Sequence, residues 1–290
     1  MMKRKFLITL MAVALLGMLL APAPGNATTT YTLTDQNSLL TVDSTNGIAN
    51  AANLPVTLPG TWFINGTYNL YQQQWFWGPS AAGQSMVSDN NLTLTGSTNP
   101  APNYATFTYS NPGVFTATTV YSLLGGAPGS PNSDLSEQMR VNNISGAALT
   151  MNLYLYTDFD LAGNYTGDTV QILGPPYHDI HQYGKGLICR TVVTGNAPPS
   201  IGEVNTFNNT LTSLNSGVPY TLNNTYGPIS PPDATWALEW QNVVIPAGQS
   251  YIISVDENIS AFPVVPVPPT ALLLASGLLG LLVFRRKLKS

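Results

Sequence analysis

Charged residues and cysteine are scarce in this chain. Asp, Glu, Lys and Arg make up only 8% of its 290 residues, and it has one cysteine, Cys189. A single cysteine excludes a disulfide within the chain, so a hydrophobic core must stabilise the fold. Cys189 lies in a strand-like stretch at residues 186–193, and no histidine stands in a convincing companion motif. We therefore expect a buried thiol rather than a catalytic nucleophile.

Positive charge is almost missing from the central part of the chain. Of ten Lys and Arg residues, three lie in residues 1–5 and four in residues 285–290, which leaves Arg140, Lys185 and Arg190. All fourteen Asp and Glu residues lie between these terminal segments, so the central part has a formal charge of 3 − 14 = −11. Such a charge repels phosphate backbones and anionic lipid surfaces, which excludes nucleic acid as a partner.

Long amphipathic helices are also missing from residues 28–262. This region has many short segments in which apolar and polar residues alternate with a period of two, separated by Gly, Pro and Asn. Asn65-Gly66 is the dipeptide of a tight hairpin turn, and residues 125–132 have the composition of a loop. The pattern predicts an all-β fold, an antiparallel β-sandwich, for residues 28–262, which we call the ectodomain.

The first 27 residues have the features of a secretory signal peptide. Basic residues at positions 3–5 precede an apolar run at 6–20, and Gly25 and Ala27 are small residues at the two positions that a signal peptidase reads. We expect a signal peptide helix at residues 1–27, cleavage after Ala27, and export of the ectodomain.

Residues 263–290 consist of a proline-rich lead, an apolar run and a basic end. The apolar run, residues 271–284, spans about 14 residues, whereas a stable membrane span needs about 20. We expect a short transmembrane helix at residues 270–284, with Arg285, Arg286 and Lys287 stopping transfer on the cytoplasmic side. The helix acts either as a permanent anchor in a thinned bilayer or as a temporary anchor that is later cut.

The order of these three parts resembles the PEP-CTERM sorting signal of exopolysaccharide-producing Gram-negative bacteria. The sorting motif reads Val265-Pro266-Val267-Pro268-Pro269, with Val267 where the family usually has glutamate. The resemblance implies two partners, a signal peptidase and an exosortase-type membrane protease. It also implies a transient inner-membrane anchor, followed by delivery to the cell surface or the extracellular space.

Three blocks of the ectodomain carry a second resemblance. Residues 69–78, 155–163 and 236–240 with 246–250 are similar to a group of secreted PEP-CTERM proteins, for which we know of no assigned activity. This resemblance implies a single β domain and transfers no catalytic residue.

Trp75, Phe76 and Trp77 form the densest aromatic cluster of the sequence. Consecutive residues of a strand point to opposite faces of a sheet, so at least one of these rings faces away from its neighbours. The rings either fill a core or form a platform on which the sugar rings of a glycan stack. Exposed, coplanar rings on one face would favour the platform.

Residues 158–168 collect three carboxylates, Asp158, Asp160 and Asp168. Oxygen ligands at this density suit Ca²⁺. The spacing is not that of an EF-hand, because Ala162 and Thr169 stand where that motif needs ligands. The other interpretation is a turn in which Asp and Asn bond their own backbone. We expect at most modest Ca²⁺ binding and no other cofactor.

The sequence as a whole predicts a secreted, non-enzymatic protein of the envelope or extracellular matrix, connected with exopolysaccharide or biofilm matrix. A glycosidase needs two carboxyl groups across a cleft. The four glutamates are scattered along the chain, so we assign no catalytic residue. The alternative function is a carbohydrate-binding module or a glycan-active enzyme that uses the aromatic platform.

Overall fold

Antiparallel strands dominate the structure, a computed structural model that describes residues 28–45, 47–48, 61–78, 85–86 and 92–262. Within these residues, seventeen strands form two sheets. The strands are β1 (Thr30–Asp35), β2 (Ser38–Asp43), β3 (Gly47–Ile48), β4 (Trp62–Ile64), β5 (Thr67–Gly78), β6 (Ser85–Met86), β7 (Thr93–Ala101), β8 (Tyr104–Asn111), β9 (Phe115–Gly125), β10 (Ser133–Asn143), β11 (Leu149–Phe159), β12 (Thr169–Leu173), β13 (Asp179–Gly184), β14 (Leu187–Gly195), β15 (Ile201–Thr206), β16 (Ala234–Ile245) and β17 (Ser250–Ala261).

The two sheets contain nine and eight strands. The nine-stranded sheet has the order β1-β2-β3-β5-β11-β16-β15, with β4 pairing β2 and β5, and β6 pairing β5. The eight-stranded sheet has the order β12-β13-β14-β17-β10-β9-β8-β7. β17, the last strand of the described chain, thus lies inside its sheet and pairs antiparallel with β10 and β14. The predicted all-β antiparallel sandwich is confirmed.

The faces that the two sheets turn toward each other form the main hydrophobic core. β10 shows the pattern: Leu135, Glu137, Met139 and Val141 are buried, while the residues between them are partly or fully exposed. This alternation follows from the two-residue period of a strand. The period-two segments of the sequence therefore decide which side chains enter the core.

A second, smaller core covers the outer face of the nine-stranded sheet. Phe76 and Tyr154 belong to it and are fully buried together with Leu214 and Leu222 from the segment 207–233, which we call the covering segment. The covering segment contains the α-helix of the described chain, α1 (Asn209–Leu214). Because the middle of the sheet is covered on both faces, the first seven residues of β16 are buried without alternation.

The predicted hairpin at Asn65-Gly66 is confirmed. These two residues join β4 to β5 and have φ angles of 50° and 80°. A tight turn between twisted antiparallel strands requires positive φ at both central residues, which asparagine and glycine tolerate best. The predicted loop at residues 125–132 also separates two strands, β9 and β10.

The predicted terminal segments lie outside the described residues. This applies to the signal peptide at 1–27, the transmembrane helix at 270–284, the sorting motif at 265–269 and the stop-transfer residues at 285–287. In the part of the chain that the structure describes, no helix is long and apolar enough to cross a membrane.

Cys189 lies on β14 and is 1% exposed, as the sequence predicted. Burial raises the pKa of its thiol well above the usual value. A thiol that is both buried and protonated is a poor nucleophile, which agrees with a role in packing.

Candidate functional site

The Trp75–Trp77 cluster lies mainly in the two cores. Trp75 is 4% exposed, and its ring centroid is 5.9 Å from that of Trp240. Phe76 is fully buried in the outer core. Trp77 is half-buried and meets Phe115 edge to face at 5.0 Å. These rings therefore pack inside the fold. The buried rings of Trp75 and Phe76 present no face to a ligand in solvent.

Three carboxylates meet where β11 ends between β5 and β16. One carboxylate oxygen from each of Asp158, Asp160 and Asp233 lies within 4.8 Å of the corresponding oxygens of the other two residues. Asp158 pairs in register with Thr235 of β16. Asp233 comes two residues before Thr235, so the strand pairing itself brings its carboxylate beside Asp158. We call these three residues the carboxylate cluster.

A buried amide on β5 holds the loop that contains Asp160. The Asp160 N–H donates to the Asn69 carbonyl at 2.9 Å, and the Asn69 side-chain oxygen accepts from the Ala162 N–H at 2.9 Å. Asn69 is 1% exposed. Ala162 has a φ of 57°, a left-handed conformation that is unusual for alanine. These two hydrogen bonds tie the backbone at Asp160 and Ala162 to β5.

Asp168, the third ligand predicted from the sequence, is not part of the carboxylate cluster. Its Oδ2 accepts from the Gln182 amide at 3.0 Å, and the same amide donates to the Phe159 carbonyl at 2.9 Å. The Oδ1 atom of Asp168 packs directly against Gly184. A Cβ atom added to Gly184 would lie only 2.0 Å from this oxygen. Asp168 thus ties its loop to β13, and the structure brings Asp233 to the cluster in its place.

Aromatic side chains form the walls of a pocket around the carboxylate cluster. The pocket has a volume of about 230 Å³. Pockets that enclose drug-sized ligands measure roughly 300–1,000 Å³, so this one suits a single sugar unit or one ion with its waters. Tyr165 is 59% exposed, and Phe207 meets Tyr71 edge to face at 5.9 Å. The aromatic lining consists of Tyr68, Tyr71, Tyr165 and Phe207.

Burial and mutual repulsion dominate the electrostatics of the cluster. Burial, followed by the charges of the neighbouring acids, raises the pKa of Asp158 well above its usual range. The same causes raise the pKa of Asp160 to about 7. Burial also raises the pKa of Asp233. Each carboxyl therefore holds its proton more strongly than it would in water, unless a ligand supplies positive charge or hydrogen-bond donors.

No basic side chain neutralises these acids in the described part of the chain. The contacts found there between acidic and basic side chains join Asp179 to Arg190 and to the His181 ring. Asp158 is 1% exposed, and its Oδ1 has no hydrogen-bond partner among the described residues. Buried polar atoms are almost always hydrogen-bonded, so an unpartnered oxygen on a carboxylate beside a pocket points to a ligand. Hydroxyl-rich molecules and hard cations both satisfy such an oxygen.

The glutamates of the structure lie outside this pocket. Glu137 and Glu257 are buried between the sheets. Glu203 accepts from the Asn223 N–H at 2.5 Å, and Glu239 accepts from the Leu222 N–H at 3.0 Å. Glu203 and Glu239 therefore hold the covering segment on the sheet rather than facing an open cleft.

Sequence reasoning missed Asp233 and the aromatic wall. Asp233 is a single acid 73 residues beyond Asp160, and only the pairing of β11 with β16 brings it close. Tyr165 carried a usable signal, since it lies inside the acidic loop that the sequence singled out. Phe207 gave none, because it belongs to the covering segment, whose path over the sheet has no signal in the sequence.

Comparisons with known proteins identify the fold but no family. No protein-family model matches the sequence, and no curated protein sequence matches it. Among solved structures, a bacterial glucoamylase in complex with acarbose superposes with a TM-score of 0.51 at 8% sequence identity. The match covers 81% of this chain but only 34% of the glucoamylase chain, so this protein spans about a third of that enzyme's length. The similarity shows a shared β-sandwich fold.

A second similar structure is a putative aldose 1-epimerase from Escherichia coli K12. It has a TM-score of 0.48 and 10% identity, and the match covers 81% of this chain and 100% of the epimerase chain. At this level of similarity the epimerase adds nothing to the assignment of the fold.

Proposed function

We propose that this protein is an exported, non-enzymatic glycan-binding protein of the cell envelope or extracellular matrix. The observation that carries the proposal is the pocket that an exposed ring, Tyr165, lines together with the carboxylate cluster. The proposed ligand is a glycan, one unit of which enters the pocket. The predicted signal peptide and sorting tail supply the route to the surface.

The chemistry of the pocket matches that of a sugar ring. One face of a pyranose carries C–H groups that pack on an aromatic ring, while its hydroxyl groups need hydrogen-bond acceptors. Tyr68, Tyr71, Tyr165 and Phe207 offer the aromatic surface, and the carboxylate cluster offers the acceptors. Ligand pockets commonly combine apolar walls with a few convergent polar groups.

Binding without catalysis fits the placement of the acids. A glycosidase places two carboxyl groups about 5–9.5 Å apart on opposite sides of the bond that it cleaves. Here one selected oxygen from each of three carboxylates lies within 4.8 Å of the other two, so the three groups face one point. Carboxylates that converge on one point suit the capture of a ligand better than attack from two sides.

The fold and the charge of the ectodomain agree with this proposal. The glucoamylase that shares the fold was solved in complex with acarbose, which shows that a related sandwich occurs in a protein that binds a sugar-like molecule. The excess of acids over bases in the ectodomain favours neutral glycans over polyanionic ones.

The test is glycan binding by the exported protein and by a variant of its exposed ring. Y165A should weaken retention on an affinity gel of the host's exopolysaccharide by about two- to tenfold, since one aromatic contact contributes about 0.5–1.5 kcal/mol beyond its buried area. Tyr165 is largely exposed, so its removal should leave the melting temperature unchanged. Tyr226 is 44% exposed and does not line the pocket, which makes Y226A the matched control.

Two results would overturn the glycan proposal. One is equal retention of the wild type, Y165A and Y226A on the gel. The other is the absence of any signal for the wild-type protein on an array of bacterial and plant glycans.

A further inference from the structure

We propose that Asp158, Asp160 and Asp233 together bind one calcium ion on the floor of the pocket. This inference does not depend on the glycan proposal, because it rests on the carboxylate cluster alone. It also differs from the ligand set that the sequence suggests, which has Asp168 in place of Asp233.

The spacing of the three carboxylates is that of oxygens around one ion. Calcium ligands lie about 2.3–2.6 Å from the metal, so two ligands on opposite sides of it are about 4.6–5.2 Å apart. The cluster oxygens lie within 4.8 Å of one another. Small side-chain adjustments therefore place all three at bonding distance from a shared cation.

The unpartnered oxygen of Asp158 is a second and independent sign of a ligand. Asp158 is 1% exposed, lines the pocket and has no hydrogen-bond partner for Oδ1 among the described residues. A turn stabilised by Asp side chains, the other interpretation of this loop, would hydrogen-bond this oxygen to its own backbone. A metal ion satisfies the oxygen directly and offsets the repulsion between the acids.

The donor set favours calcium over other metals. All the acidic donors are hard carboxylate oxygens, and no histidine or cysteine lines the pocket. Magnesium keeps several of its waters and requires a near-ideal octahedron, whereas calcium accepts 6–8 ligands in flexible geometry. The open side of the pocket leaves the remaining positions to solvent.

The site can be tested with terbium, a luminescent substitute for calcium. Tyrosines sensitise terbium emission at short range, and Tyr68, Tyr71 and Tyr165 line this pocket. We would add TbCl₃ to protein purified from cells that express the complete chain and excite the tyrosines. Emission should rise with terbium and fall when CaCl₂ is added in the millimolar range, while MgCl₂ at the same concentration should compete at least about tenfold more weakly.

Three matched variants separate the possible ligand sets. D233N should weaken terbium and calcium binding by at least about tenfold, because loss of a group that merely supports a metal ligand already costs about 10–100-fold. D168N removes a charge of the same sign nearby and should change affinity by less than about threefold, since it does not reach the ion. D256N alters an exposed acid on β17 and should leave affinity unchanged.

Thermal melting supplies the check on folding and a second readout. Calcium binds the native state, so it should raise the melting temperature of the wild type relative to chelator and leave that of D233N unchanged. If D233N does not fold, D160N takes its place with the same expectation. Absence of terbium and calcium binding by the wild type would overturn the proposal. Loss of binding in D168N with retention in D233N would overturn this ligand set.

Discussion

Replacing Glu137 by glutamine is expected to remove a pH-dependent loss of stability. Glu137 lies between the two sheets and is 1% exposed. It accepts hydrogen bonds from Gln73 Nε2 at 2.5 Å and from Trp75 Nε1 at 2.7 Å. Burial raises its pKa from the ordinary 4.5 to about 7, even though these hydrogen bonds act to lower it. The carboxyl thus remains protonated in the folded protein at pH values where it ionises in the unfolded chain.

The sign and size of the effect follow from this difference in proton affinity. Between about pH 4.5 and 7 the folded state binds more protons than the unfolded state, so stability falls as the pH rises and then levels off. Each tenfold difference in proton affinity between the folded and unfolded states changes the free energy of unfolding by about 1.4 kcal/mol, so the full loss of stability is about 3 kcal/mol. Most of it, about 2–3 kcal/mol, falls between pH 5 and 8.

The assay is urea unfolding of the wild type and E137Q at intervals from about pH 5 to pH 8. The free energy of unfolding is extrapolated to water at each pH. In glutamine an NH₂ group, which cannot accept a hydrogen bond, replaces one of the two accepting oxygens, so E137Q should lose some stability by an amount that does not depend on pH. Relative to the wild type, the variant should then gain about 2–3 kcal/mol between the acidic and the alkaline end. Comparison at each pH cancels the contribution of other titrating groups to a first approximation.

S136A, which changes an exposed and uncharged residue of β10, the strand that carries Glu137, serves as the control and should follow the wild-type pH profile. Parallel profiles for E137Q and the wild type would refute the reasoning, because they would mean that the Glu137 carboxyl does not change protonation on folding in this range.

Two further predictions concern the covering segment and the sorting tail. L214A should lower the free energy of unfolding by about 2–5 kcal/mol and increase hydrogen exchange in residues 207–233 more than in β10, because Leu214 is fully buried in the outer core. Leu211 is only partly buried, so L211A should cost less, and equal effects of the two variants would contradict this packing. Mass spectrometry of the mature protein from its native host should show a chain that starts at Thr28 and ends before Ala271, whereas an intact C-terminus at Ser290 would contradict cleavage of the tail.

The local features of the fold could be read from the sequence. Asn65-Gly66 predicts its hairpin because few other dipeptides accept the turn's positive φ angles. The alternation in β10 predicts its buried face because one side of that strand meets the core. Both predictions depend only on residues that are neighbours in the chain.

Features that depend on the order of the strands could not be read in this way. The platform, the alternative to core packing at Trp75–Trp77, assumed one open face, but the covering segment buries Phe76 on the side opposite Trp75. The proposed metal ligands could not be found without knowing that β11 lies next to β16, since this pairing brings Asp233 to Asp158. Asp168 is close to Asp158 in sequence but is held instead by Gln182 of β13. Distance along the chain was therefore a poor guide to distance in the site.

The position of β17 has a mechanical consequence. This strand leads out of the described fold, and it lies between β10 and β14 rather than at an edge of the sheet. A pull on the residues that follow Phe262 acts along the strand axis, at right angles to the hydrogen bonds of both ladders. Many bonds must then break together, whereas an edge strand could be peeled away one bond at a time. The fold is thus well suited to carry tension through its C-terminal end.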